Sequence, residues 1–183
     1  LDAAAGVGAR TVYIDGLDAN FARISETVTL TGAGEVATTQ SFYRINDMCV
    51  MTVGASGVNQ NAITATIGGA YACAIPQFFN SKRDSIFTVP ADHSLLITSF
   101  GGYSRLAAFG FARIETREVT ISNAAFHKKR ITGVGATTMG ETRLGMPLLV
   151  GPKTDIKTVV VAGATPTTDH LKTSFSGYQI KHI

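Results

Sequence analysis

Hydrophobic and polar residues alternate along this chain in short runs of period two, separated by breaks rich in glycine or marked by proline. The first such run is legible from Thr11 to Asp15 and resumes from Ile24 to Leu30, with Gly16-Leu17-Asp18-Ala19-Asn20 between. Period two is the pattern of a half-buried strand, so this stretch predicts a β-hairpin. Ile24, Val28 and Leu30 are expected to face the core from its second strand, with Glu26 an exception on the same face, and Gly32-Ala33-Gly34 ends the unit. Further strands are predicted over 42–53, 62–67 and 71–79, divided by the turn signals Gly54-Ala55-Ser56-Gly57 and Gly68-Gly69. The polar stretch Asn80-Ser81-Lys82-Arg83-Asp84 leads into Ile86-Phe87-Thr88-Val89, which Pro90 stops. Runs at 95–100, 109–121, 148–150, 156–161 and 175–180 complete the pattern, the second long enough to hold a bulge or to turn a sandwich corner. Gly133 to Gly140 reads as a mobile loop. Apolar residues do not recur at three and four over three turns, so any helix is expected to be short.

About ten to twelve short strands point to an all-β fold, an antiparallel β-sandwich of jelly-roll-like type. We expect one continuous domain over residues 1–183, with a sub-boundary candidate at 80–84. Composition agrees: charged residues are only 16% of the 183, below the roughly 25% usual in soluble domains, so Thr, Ser, Asn and Gly must cover the surface. A net charge of +3 from sixteen cations and thirteen anions is too balanced to indicate a nucleic-acid partner. The chain has no apolar run of about 18 residues, so no membrane partner is expected either. It opens on Leu1-Asp2-Ala3-Ala4-Ala5 without an initiator Met or signal-peptide pattern, and is expected to be a processed or ordered portion of a longer polypeptide. Cys49 and Cys73 sit among apolar residues and read as buried free thiols in preference to a disulfide.

Several segments, taken in order, resemble a family of tailed-bacteriophage virion structural proteins frequent in aquatic viruses. They are Gly8-Ala9-Arg10-Thr11-Val12, Gly16-Leu17-Asp18-Ala19-Asn20, Ile24 to Leu30, Thr38-Thr39 before Phe42-Tyr43-Arg44-Ile45, Gly54 to Asn59 before Ile63-Thr64, Phe87-Thr88-Val89-Pro90, and Lys153-Thr154-Asp155-Ile156-Lys157. The resemblance implies a structural role on the particle, in capsid decoration, a head fibre or a tail component, with no enzymatic residues to carry over. Phe78 to Arg83 and Lys128-Lys129-Arg130 have no counterpart in it.

Candidate chemistry is sparse. Gly32-Ala33-Gly34-Glu35-Val36-Ala37 has the letters of a dinucleotide-binding turn, but the β-branched and polar residues after it predict no helix to face a pyrophosphate, so no cofactor is expected. Asp92-His93 and Asp169-His170 repeat a carboxylate–imidazole pair; both are expected in exposed turns, with no metal site. Nothing in the spacing orients a Ser against His93, His127, His170 or His182. Glu115 and Glu118, three apart, project to opposite sides of a strand, which argues against a paired-carboxylate hydrolase. With Arg113 and Arg117 they read as a charged sheet edge that discourages aggregation, ahead of a salt-bridged subunit contact.

His127-Lys128-Lys129-Arg130 is the densest charge in the chain. It reads either as a solvated hairpin tip or as an electrostatic clamp on an acidic protein surface, such as capsid exteriors present. Phe126 alone is too little aromatic surface for single-stranded nucleic acid. The expectation is a non-enzymatic capsid decoration (cement) protein, a homo-oligomer on the virion surface bound to the major capsid protein or other virion proteins. Its candidate interface residues are His127, Lys128, Lys129, Arg130, Arg113 and Arg117. The alternative is a tail or fibre component with a carbohydrate-binding sandwich, which would need exposed aromatics gathered from Tyr13, Tyr43, Tyr71, Tyr103 and Tyr178.

Overall fold

The alternating runs take extended backbone, and twelve strands form in the computed structural model, which describes residues 2–83, 86–103, 110–122, 124–134, 140–162 and 172–182. Every strand pair is antiparallel and no helix occurs among the described residues, so the fold is all-β and sandwich-like, as the alternation predicts. The chain divides into two compact units, Leu1–Asp84 and Ser85–Ile183, and the division falls at the polar 80–84 segment.

In the first unit β1 (Ala9–Leu17) lies between β2 (Arg23–Thr29) and β3 (Arg44–Val53), and β4 (Ile63–Ile67) pairs with β5 (Ala70–Ile75). The expected first hairpin is present. Its turn is closed by Asp18, whose Oδ1 accepts the amides of Asn20 at 2.8 Å and Ala22 at 2.9 Å. Gly68 and Gly69, at φ 59° and 79°, supply the two left-handed positions that a tight β4–β5 turn demands. Val12, Ile14, Val28 and Met48 from the three-stranded sheet meet Cys73 and Ile75 from the hairpin in one core. Cys49 and Cys73 are free thiols, Cys73 buried and Cys49 half-buried; loss of water pushes the Cys49 thiol above its ordinary pKa. Glu26 does share the inward face with Ile24 and Val28, and its reason is local. Its two carboxylate oxygens accept the amides of Thr39 at 3.0 Å and Gln40 at 2.8 Å, pinning the loop that crosses from β2 to β3. That loop contains Gly32 to Ala37 and no helix.

In the second unit one sheet has the order β10-β7-β12 and the other β6-β11-β8-β9. The strands are β6 (Ile86–Thr88), β7 (His93–Tyr103), β8 (Gly110–Glu118), β9 (His127–Val134), β10 (Gly140–Val150), β11 (Thr154–Ala162) and β12 (Lys172–Lys181). Leu95, Ile97, Phe100 and Val150 from the first sheet pack on Ala112, Ile114 and Ile156 from the second. Each large aliphatic side chain fully withdrawn from water here stabilises the fold by about 1.5–3 kcal/mol. Phe87 of β6 and Phe175 of β12 meet edge to face at 6.5 Å. β10 is much longer than the 148–150 run in the sequence. Its register jumps between Arg143 and Leu148, and the Gly145-Met146-Pro147 stretch inside that jump breaks the alternation that would have announced the strand. Residues 135–139 of the expected loop lie outside the described residues.

The most heavily bonded carboxylate of the first unit is Asp2. Oδ1 accepts the amides of Ala9 at 2.7 Å and Gln60 at 2.8 Å, and Oδ2 accepts the Asn61 amide at 2.7 Å and its side-chain Nδ2 at 3.0 Å. Burial alone would raise its pKa, but these bonds outweigh burial and hold it below its ordinary 3.8. A depressed carboxylate stabilises above its unfolded pKa and loses that contribution as pH falls through the folded value. Asp2→Ala is therefore expected to lower stability at pH 7 by about 1–3 kcal/mol. In denaturant melts the gap between variant and wild type should narrow steadily below about pH 4.

Candidate protein-binding surface

The cations on the strands of the β6-β11-β8-β9 sheet sort into two populations, and strand position separates them. On β8 the side chains of Arg113, Glu115 and Arg117 share one face by strand alternation, and β11 places Val159, Lys157 and Asp155 directly opposite them. Arg113 Nε stands 2.6 Å from Glu115 Oε1, and Lys157 Nζ stands 3.1 Å from Glu115 Oε2. Arg117 Nη2 donates to Asp155 Oδ2, while Oδ1 accepts the Thr88 hydroxyl at 2.6 Å. The Asp155 side chain is 1% exposed and that of Glu115 7%, so both carboxylates are removed from water and depend on these cations. Phe126 closes over the pair: Arg117 lies 4.5 Å and Lys157 4.0 Å from its ring centroid. Its ring is thus engaged by the protein's own cations.

This corrects the sequence reading of β8. Arg113, Glu115 and Arg117 do not form a charged edge, because β8 is an inner strand between β11 and β9. Their alternation imitates a solvated face only while Lys157 and Asp155, some forty residues on, are out of view. Glu118 does face away from Glu115; it is exposed and accepts the Thr120 hydroxyl at 2.8 Å.

The other population lies on β9, which is the edge of its sheet and not a hairpin tip. His127, Lys128 and Lys129 are exposed and Arg130 is half-buried. The β8–β9 register runs from Ile114 opposite Arg130 to Glu115 opposite Lys128, so Lys129 is a bulged residue with no partner across the ladder. Among the described residues no ion pair engages His127, Lys128, Lys129 or Arg130; Arg130 Nη1 donates to the Lys129 carbonyl at 3.0 Å. The bulge turns Lys129 and His127 into a shallow groove of about 360 Å³, also lined by Thr116, Glu118, Leu149 and Thr154. Leu149 links this groove to a row across the neighbouring sheet, where Leu149 of β10, Leu96 of β7 and Tyr178 of β12 stand in register. Leu149 and Tyr178 are more than 60% exposed. Free cations therefore border an apolar strip.

The remaining candidates are placed apart. Asp92 and His93 bond each other, Oδ1 to Nδ1, at 2.7 Å; Asp169 and His170 lie outside the described residues. Among the described residues no group of three or more His, Cys, Asp or Glu could hold a metal. Sequence spacing missed one pair: Ser94 Oγ is 2.9 Å from His182 Nε2, brought together across the β7–β12 ladder from 88 residues apart. The nearby Asp92 carboxylate bonds His93. Tyr43 packs edge to face on Phe21 at 5.4 Å and under Arg44 at 4.4 Å. Tyr71 is in the β4–β5 hairpin of the first unit and Tyr178 on β12 of the second, so the tyrosines are dispersed over both units; the Tyr103 side chain lies outside the described residues. A different aromatic pair is exposed at the end of the first unit. Phe78, at φ 68°, and Phe79 stand beside Arg83, which lies 3.6 Å from the Phe79 centroid.

No family model, curated protein or solved structure matches this chain.

The two populations of cations should separate on substitution. Arg117→Ala takes the cation from buried Asp155 and is expected to cost about 3–5 kcal/mol. Lys128→Ala with Lys129→Ala should leave stability within about 0.5 kcal/mol of wild type. Thermal or urea melts of both variants check this.

Proposed function

We propose that the chain is a non-enzymatic virion structural protein, a capsid decoration protein that binds the outer capsid lattice as a homo-oligomer. The observation that carries this reading is the unpartnered cationic edge of β9. On β8 and β11 Arg113, Arg117 and Lys157 are matched to carboxylates; here Lys128 and Lys129 stay in water with none among the described residues. Charges held out on a rigid strand beside an apolar row suit a broad acidic protein surface, where affinity comes from area and repetition more than from a deep pocket. The order of segments that resembles phage virion proteins supplies the particle; the β9 edge supplies the contact. On this reading the partner is the major capsid protein; Arg117 serves it indirectly by tying β8 to Asp155 of β11 beside β9, and Arg113 by neutralising Glu115 on its own strand.

A second reading has its own observation. Phe78 is a bulky residue in the left-handed region, which costs of order 1 kcal/mol or more, and 56% of it is exposed. With Phe79 and Arg83 it forms an aromatic platform of the kind on which a sugar ring stacks, as a host-recognising tail or fibre component would require.

Neutralising Lys128, Lys129 and Arg130 together is expected to lower occupancy on purified capsids at least tenfold at low salt and to flatten its salt dependence. Occupancy unchanged by the triple substitution, with Phe78→Ala abolishing binding to a glycan array, would favour the sugar reading.

A further inference from the structure

A strand at the border of a sheet leaves half its main-chain groups without a ladder partner, and a second chain adds there unless a bulge, proline, charge or short length prevents it. Among the described residues the sheet borders fall on β2, β3, β4, β5, β6, β9, β10 and β12. All but one are interrupted, covered or short. The β3 ladder is shifted in three places and its outer side is covered, with Val50 N donating to Asn80 O at 2.8 Å and Lys82 N to Met48 O at 2.9 Å. The β4–β5 ladder is shifted between Ala65 and Thr66, and β6 has three residues. β9 is bulged at Lys129, β10 is broken around Pro147, and β12 is shifted between Ser176 and Gly177. β2 is the exception: its register runs unbroken from Thr29 opposite Thr11 to Arg23 opposite Leu17, with neither Pro nor Lys, and its two charges are engaged within the chain, Arg23 by Asp15 at 2.8 Å and Glu26 by the Thr39 and Gln40 amides.

The free groups of β2 can be assigned. Leu30 N donates to Arg10 O at 2.9 Å beyond one end of the β1–β2 ladder, and Asp18 N to Ala22 O at 3.0 Å beyond the other. Antiparallel pairs alternate between bonded and non-bonded, so Val28, Glu26 and Ile24 bond to β1 between those two points. The N–H and C=O groups of Arg23, Ser25, Thr27 and Thr29 must then point away from β1. Among the described residues nothing hydrogen-bonds them, and all four residues are exposed.

We propose that β2 is a self-association edge, on which a second copy of this chain pairs β2 to β2 antiparallel and joins two three-stranded sheets into one. The side chains beside the free groups argue for a second copy. Ser25, Thr27 and Thr29 are small, neutral and hydroxylated, and a two-fold axis at Thr27 sets Thr27 against Thr27 and Ser25 against Thr29. That register forms about six main-chain hydrogen bonds and places Glu26 across from Val28. An axis at Glu26 would oppose two carboxylates and is disfavoured. Closed two-fold pairing also uses up the edge, so it stops at a dimer and does not propagate. The proposal gives the expected homo-oligomer a specific interface and stands independently of the capsid reading, since it concerns the free chain.

Light scattering on the purified chain at roughly 100 μM, where an interface of micromolar Kd is saturated, is expected to give twice the chain mass. Thr27→Pro deletes an N–H that no group among the described residues uses, and Thr27→Lys sets two like charges face to face across the axis. Both variants should scatter as the single chain and, at dilutions where wild type is also single, melt at its temperature. If Thr27→Pro fails to fold, Thr27→Lys decides. Hydrogen exchange on wild type should show the Ser25, Thr27 and Thr29 amides protected at high concentration and open on dilution. A single-chain mass for wild type, a dimer that survives Thr27→Lys, or a dimer whose three amides exchange freely would overturn the proposal.

Discussion

The constraint on which the whole molecule depends is that main-chain hydrogen-bonding groups must be paired or left in water. With no helix among the described residues, pairing falls to antiparallel ladders, and ladders end in edges. The protein's surface chemistry follows from how each edge is treated. Where β9 borders solvent, the chain places a bulge and a run of cations; where β3 borders solvent, residues 80–82 cover it. The β9 charges that look functional in sequence are in this sense first of all strand-edge chemistry.

The second determinant is the pair of buried carboxylates, Glu115 and Asp155. Each would be unsustainable alone, and each is held by cations from the facing strand or its own. This ties β8 to β11 and, through the Thr88 hydroxyl, to β6. The network fixes the sheet from which β9 projects. A rigid scaffold matters for a binding edge, because side chains already held in place lose less entropy when a partner arrives.

Period-two alternation made most of the fold legible: the first hairpin, the two-glycine turn, the strand stopped by Pro90 and the all-β class were open to reading from the chain. The extent of β10 was hidden because Gly145 to Pro147 interrupts its alternation inside a bulge. The surface was less legible than the core. Lys128 and Lys129 were visible as a charge run, but whether they sat on a tip or an edge depended on which strand paired with β8. The pairing of Arg117 could not be read locally at all, since the carboxylate that fixes it lies 38 residues away. The proximity of Ser94 to His182 was hidden for the same reason, a register between distant strands.

The central claim is that the β9 edge meets an acidic protein lattice, and imaging the assembled particle tests it most directly. A single-particle reconstruction of capsids incubated with the purified chain is predicted to show it on the outer shell with Lys128 and Lys129 turned toward capsid carboxylates. A shell without this chain, or one that carries it with the β9 edge facing solvent, would contradict the account.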